Sequence, residues 1–185
     1  LGELYVNDAF GTAHRAHAST VGVTRFFDLR VSGLLMDKEL ENLGQLLQDP
    51  ARPYVAVLGG AKVSGKIEVI ENLLDRVDTI LIGGGMAFTF FRVHGLEVGE
   101  SLVEEKLMDT VRETLKKARS STTEILLPQD LVVSTSMDDA DARKEVLVTD
   151  IPEGWMGLDI GSRTTRLFSE KVAGAHTVFW NGPMG

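Results

Sequence analysis

Lys62 and Lys66 stand four residues apart, directly after Gly59-Gly60-Ala61. Glycines let backbone N–H groups approach a phosphate with no Cβ in the way. A helix starting behind them would add partial positive charge. On a helix, two lysines at this spacing share a face. Their ammonium groups there could hold a migrating phosphoryl group. The residues alone leave two readings open: a phosphate cradle, or a glycine turn with two solvated lysines. The same stretch imitates a Walker A loop from Gly60 to Gly65-Lys66. That motif needs a Ser or Thr next, to place a hydroxyl on Mg²⁺. Ile67 stands there and cannot ligate a metal, so the P-loop reading fails at the position that carries its mechanism.

Four other stretches carry candidate chemistry. Gly83-Gly84-Gly85-Met86-Ala87 would let a flat ring or a ribose lie on backbone, or would serve tight strand-to-helix packing. Arg15, inside Thr12-Ala13-His14-Arg15-Ala16-His17, could fork onto a carboxylate or phosphate. His14 and His17 lack a third ligand nearby, which disfavours a metal. Trp155-Met156-Gly157-Leu158-Asp159-Ile160-Gly161 could wall an adenine pocket or be plain core. Asn181-Gly182-Pro183 by itself is only a turn.

These residues need elements to position them. Tyr54–Leu58 and Thr79–Ile82 are apolar runs that end in glycines, and helical periodicity follows each. Strands that end in glycines and lead into helices predict a parallel α/β sheet, with ligands at the carboxyl ends of its strands. Ile67, Ile70, Leu74 and Val77 predict a helix from near Ser64, and Met86 to Val93 a short apolar one. Val103, Leu107, Val111 and Leu115 predict another, with Glu104 and Glu105 in its first turn and Lys116, Lys117 and Arg119 in its last. Further strands are expected at 4–6, 124–127, 131–133, 146–149 and 177–180. Ser162–Gly174 is expected as a helix capped by Ser162. Earlier, Met36, Leu40, Leu43 and Leu47 predict a helix that Asp37 can cap and that Pro50 and Pro53 stop. It could join two domains. Asp138, Asp139 and Asp141 read as a solvated loop.

Composition bounds the partners. The chain has 185 residues, enough for one sizeable core or one domain plus part of another. A net charge of −8 argues against a nucleic-acid surface. No apolar run approaches the roughly 18–20 residues that span a bilayer, so no membrane role is expected. With no cysteine, disulfides and thiolate metal sites are excluded. A cytoplasmic metabolic protein fits. The chain opens on Leu1 and stops in turn-forming residues after an apolar run, so both ends are expected to be cut.

Taken together, the segments resemble phosphoglycerate kinase. They are Val6-Asn7-Asp8-Ala9-Phe10-Gly11-Thr12-Ala13-His14-Arg15-Ala16-His17, Leu58-Gly59-Gly60-Ala61-Lys62-Val63, Ile82-Gly83-Gly84-Gly85-Met86-Ala87-Phe88-Thr89-Phe90, Gly154-Trp155-Met156-Gly157-Leu158-Asp159 and Val178-Phe179-Trp180-Asn181-Gly182-Pro183. Each is weak alone; five in the family's order and spacing are specific. The resemblance implies a Rossmann-like three-layer α/β domain with a parallel sheet, here incomplete, preceded by a remnant of a second α/β domain. Residues 1–33 would be the tail of a substrate-binding domain, 34–50 the interdomain helix, and 51–185 a partial nucleotide-binding domain.

It also implies reversible phosphoryl transfer between 1,3-bisphosphoglycerate and Mg-ADP, giving 3-phosphoglycerate and Mg-ATP, by a protein monomeric at full length. By the match, Arg15 binds the phosphoglycerate. Lys62 and Lys66 are catalytic and bind nucleotide phosphates, with Gly59, Gly60 and Ala61 beside them. Gly83 and Gly84 line the nucleoside site, Leu102, Gly157 and Leu158 surround the base, and Asn181, Gly182 and Pro183 border the nucleotide. No residue of this chain is assigned as a metal ligand. Mg²⁺ would come with ATP or ADP.

Two departures matter. Where the family commonly has Asp before the second lysine, this chain has Gly65. The family's catalytic arginine would lie before Leu1, and its late Gly-rich loop after Gly185. The chain alone is therefore expected to be inactive. The alternative is a non-catalytic α/β nucleotide-binding module.

Overall fold

In the computed structural model, which describes residues 2–138 and 142–185 (without the side chain of Leu47), the chain forms two units, Leu1–Pro50 and Ala51–Gly185. Asp139 and Asp141 of the expected acidic loop lie outside the described residues. Asp138 is exposed.

In the first unit, β1 (Leu4–Asn7) runs parallel to β2 (Leu29–Ser32), with Leu4 beside Leu29 and Asn7 beside Ser32. Short 3₁₀ and π turns fill the crossover between them. Helix α1 spans Leu34–Gln48. Of its apolar stripe, Met36 is buried and Leu43 half-buried, while Leu40 is 56% exposed. Asp37 does not cap this helix. The N-cap is Gly33, and the carboxylate of Asp8, on the turn after β1, accepts the Met36 N–H at 2.9 Å.

The second unit is built on strands with no polar face. In β3 (Tyr54–Leu58) and β4 (Thr79–Ile82) every residue is buried, as expected for inner strands covered on both sides. With β5 (Glu124–Leu126) and β9 (Thr177–Asn181) they form a four-stranded parallel sheet in the order β5-β4-β3-β9. The connecting helices are α2 (Ile67–Leu73), α3 (Ala87–Val93), α4 (Met108–Arg119) and α5 (Ser162–Ala173). Helices α2 and α3 both pack against α4, while α5 packs on the sheet; right-handed crossovers would set these two groups on opposite faces. On the α5 face, Phe168 and Leu167 pack against Val55, Val57 and Leu81. Side chains alternate along a strand, so Ala56, Leu58, Ile80 and Ile82 meet the opposite layer.

A second sheet lies outside the parallel-sheet expectation. The strands β6 (Asp130–Ser134), β7 (Lys144–Leu147) and β8 (Met156–Ile160) pair antiparallel in the order β7-β6-β8, with a register shift at Val132/Val133. No alternation marks β8, and Gly157 sits inside it. Three helix starts also differ from expectation. α2 begins at Ile67, after a 3₁₀ turn over Val63–Gly65. α4 begins at Met108, so Glu104 and Glu105 precede its first turn, although Lys116, Lys117 and Arg119 do occupy its last. The N-cap of α5 is Gly161, and Ser162 instead donates its hydroxyl to Glu145 at 2.7 Å.

The open donors of α5 are met from the other sheet. Asp130 on β6 is buried, and its carboxylate accepts the Arg163 N–H at 2.9 Å, the Thr164 N–H at 2.8 Å and the Thr164 hydroxyl at 2.5 Å. A carboxylate at a helix N-terminus satisfies orphan donors and complements the helix dipole. Burial pushes the Asp130 carboxyl up, but the Thr164 hydroxyl, the two backbone N–H groups and the Arg163 charge outweigh it and hold the carboxyl below its ordinary value. A depressed native value stabilises the fold above the ordinary aspartate range, and this contribution is lost as pH falls through the native value. Asp130→Asn should lower unfolding free energy at pH 7 by about 1–3 kcal/mol. The gap to wild type in urea titrations should narrow below pH about 4. A gap that widened in acid would contradict this account.

Tyr54, Phe90, Leu81 and Ile82 are among the largest fully buried side chains. Leu81→Ala should cost about 2–5 kcal/mol, read as a lower urea midpoint at unchanged slope. A loss under 1 kcal/mol would mean the site collapses around the gap.

Candidate functional site

The register of the parallel sheet brings three loops to one height. Leu58, the last residue of β3, pairs with Ile82 of β4 and with Asn181 of β9. Gly59, Gly83 and Gly182 therefore leave the sheet side by side. Backbone hydrogen bonds join them: Gly59 N–H to Asn181 O at 3.0 Å, Gly83 N–H to Leu58 O at 2.9 Å, Gly84 N–H to Met184 O at 2.7 Å, and Met86 N–H to Gly60 O at 2.9 Å. The result is a ledge made of main chain.

Glycines there, Gly59, Gly84 and Gly182 among them, have no substitute. A Cβ on Gly59 would fall 1.9 Å from the Pro183 carbonyl oxygen. Gly84 has φ +68°, and its Cβ would meet Gly60 N at 2.6 Å.

Beside the ledge lies a cavity of about 700 Å³, within the range of small-molecule sites. Gly60, Ala61, Gly84 and Pro183 form its ledge side. Leu102, Gly157 and Leu158 line it as well. The pairing of β8 with β6 and the Gly157 N–H bond to Ser101 Oγ, at 2.9 Å, place that wall. The Glu100 N–H bond to Trp155 O, at 2.8 Å, ties the 100–102 segment to the same strand. Met156, from the stretch read as a possible adenine wall, lines it too, and Phe88 and Val132 add apolar surface that the sequence reading did not assign to the site. Phe88 had a signal, since it follows the glycine triplet on a short apolar helix. Glu100 and Arg143 also line the cavity, from connecting segments that no motif marks.

The lysines are placed differently from expectation. They do not share a helix face. Lys62 is extended (φ −130°, ψ 134°), the 3₁₀ turn intervenes, and Lys66 has φ −129°, ψ −15°. Lys62 is exposed. Lys66 is half-buried, and its ammonium donates to the Asn181 side-chain oxygen. That bond links the loop after β3 to the end of β9. Gly59, Lys62, Lys66, Gly83, Asn181 and Gly182 do not line the cavity itself but belong to the ledge and the loop above it. Among the described residues no group of three or more His, Asp or Glu side chains is placed to hold a metal ion. No helix among them is long and apolar enough to cross a membrane.

Arg15 belongs to the first unit. It is exposed, follows the 3₁₀ turn Phe10–Thr12, and has its Nε 3.4 Å from His14 Nε2.

Comparison with known proteins is consistent along the chain. A family model described as phosphoglycerate kinase matches residues 1–185. The phosphoglycerate kinase of Chlorobium limicola is 53% identical over 186 residues, covering 100% of this chain and 47% of that protein. That of Campylobacter curvus is 52% identical over 186 residues, covering 100% and 46%. The structure of phosphoglycerate kinase from Coxiella burnetii matches with a TM-score of 0.88 at 38% identity, covering 100% of this chain and 48% of that one. The enzyme from Pyrococcus horikoshii OT3 matches with a TM-score of 0.85 at 32% identity, covering 99% and 46%. The chain thus spans about half the length of the curated relatives it matches. With the family model matched from first residue to last and the fold shared with solved members, the chain belongs to the phosphoglycerate kinase family.

Proposed function

We propose that residues 51–185 form the nucleotide site of an enzyme that transfers a phosphoryl group reversibly between 1,3-bisphosphoglycerate and Mg-ADP, giving 3-phosphoglycerate and Mg-ATP. The observation that carries this reading is the main-chain ledge beside an apolar cavity, in a chain of this family. The cavity suits a nucleoside, with Leu102, Gly157 and Leu158 around the base. The phosphates would lie toward Gly59, Gly60, Ala61, Lys62 and Lys66, with Gly83, Gly84, Asn181, Gly182 and Pro183 bordering the nucleotide. Arg15, in residues 1–33, would bind the phosphoglycerate, and residues 34–50 would link the two domains.

Phosphoryl transfer from an acyl phosphate needs no general base. Catalysis is then positioning plus neutralisation of charge on the equatorial oxygens. Lys62 and Lys66 suit that work as ammonium donors, and the Asn181 bond fixes where Lys66 starts. Mg²⁺ would neutralise phosphate charge and arrive with the nucleotide. The activity is that of a phosphotransferase with a carboxyl acceptor, in the cytoplasm, by a full-length monomer. The present 185 residues would not turn over alone, since the family's enzymes are about twice as long. A non-catalytic binding module is the second reading, favoured by Gly65, where no carboxylate stands and a Cβ would meet open space.

Calorimetry with ADP and ATP, with and without Mg²⁺, tests the site. Saturable binding is expected, weakened about tenfold or more by Lys62→Ala and by Lys66→Ala. Gly59→Ala should abolish it by driving the Pro183 segment off the ledge. Binding indifferent to all three substitutions would remove the site from this place. No turnover of 3-phosphoglycerate with Mg-ATP is expected from the chain alone, and measurable turnover would overturn that part.

A further inference from the structure

The loop that carries the two lysines is held from outside by one side chain. Among the described residues, the only side chain beyond the loop that hydrogen bonds to the backbone of residues 61–65 is Glu104, whose Oε2 accepts the Ser64 N–H at 2.9 Å. Ser64 lies midway between Lys62 and Lys66. On its outer side the loop is open, since a Cβ at Gly65 would have nothing within 4 Å. Glu104 is itself anchored. Its N–H donates to the Thr89 hydroxyl at 3.1 Å, and Thr89 is buried on α3. A bridge therefore runs from the helix behind the ledge, through Glu104, to the turn between the lysines. Val63, fully buried, pins the same turn from below.

We propose that Glu104 is a positioning residue of the phosphate-facing loop, holding the Val63–Gly65 turn by its carboxylate so that Lys62 and Lys66 are presented at the ledge. This deepens the nucleotide reading above and rests on it for the role of the lysines. The carboxylate is suited to the task. Burial pushes its carboxyl up, but the Ser64 N–H and hydroxyl, the Val63 N–H and the Lys62 charge outweigh it and hold the carboxyl below the ordinary value. It therefore stays an acceptor at neutral pH. The same negative charge near Lys62 opposes an incoming phosphate. What Glu104 contributes is geometry, and a neutral acceptor of the same length should serve as well.

Three variants of the 185-residue chain separate this role from general stabilisation. In Glu104→Ala, amide exchange at Ser64 should speed up about tenfold, and ADP affinity should fall about tenfold. Adenosine affinity should not change, because adenosine has no phosphate for the loop to meet. Glu104→Gln should restore both to within about twofold of wild type, since it keeps the acceptor oxygen. Glu104→Asp, one methylene short of Ser64, should behave like Ala and serves if the Ala variant does not fold. Unchanged Ser64 exchange, equal losses for adenosine and ADP, or no rescue by Gln would overturn the proposal. If wild type binds neither ligand, the nucleotide reading fails, and Ser64 exchange alone decides whether Glu104 holds the turn.

Discussion

Three backbones meet at the end of the parallel sheet with no room for a carbon atom between them. The distance from a Cβ on Gly59 to the Pro183 carbonyl would be 1.9 Å, and the rest of the site follows from that closeness. It requires β9, β3 and β4 to end level, which their register provides. It requires glycine where loop crosses loop. It also keeps side chains off the surface that a phosphate would approach in the proposed site, where Lys62 and Lys66 stand nearby. Phosphate recognition through main chain trades chemical variety for exact placement of donors, and placement is what phosphoryl transfer demands.

The chain is acidic, with a net charge of −8, yet the site proposed for it takes an anion. Several carboxylates are used internally, on backbone N–H groups. Asp8 accepts from Met36, Asp78 from Tyr54, Asp130 from Arg163 and Thr164, and Glu104 from Ser64. Each joins elements distant in sequence, and each spends its charge locally. Asp8 and Asp130 solve the same problem, because α1 and α5 both have glycine at the N-cap and no side chain there to close the first turn. Asp130 has a second effect. It ties the antiparallel sheet, whose β8 walls the cavity, to the helix packed on the parallel sheet.

Much of this was legible in the sequence. Apolar runs ending in glycines gave away β3 and β4, since strands buried on both faces need no alternation. Of the five segments that carried the resemblance, the structure brings the four around Gly59, Gly83, Gly157 and Asn181 to one place. What stayed hidden was long-range. The strand β8 lacks alternation because Gly157, inside it, has no side chain: a Cβ there would fall 2.1 Å from the Phe88 ring. The caps of α1 and α5 were misread because local Asp37 and Ser162 look sufficient, while the working carboxylates come from Asp8 and Asp130. Spacing put Lys62 and Lys66 on one helix face. A 3₁₀ turn separates them instead, and nothing in a four-residue interval distinguishes the two cases. Glu104 looked like an ordinary first-turn acid for α4, and its true partner is forty residues away at Ser64.

The pairing of β3 with β9 has a consequence for the order in which the protein is made. Tyr54 finds its partner in Thr177 on β9, the last strand of the chain described here. A ribosome delivers β3, β4 and all the cavity wall up to β8 before it delivers the residues that complete the ledge. Until then Lys66 lacks Asn181 and Gly59 lacks its neighbouring carbonyl. The ledge is assembled at the end of this stretch of synthesis, after most of the residues that line the cavity beside it.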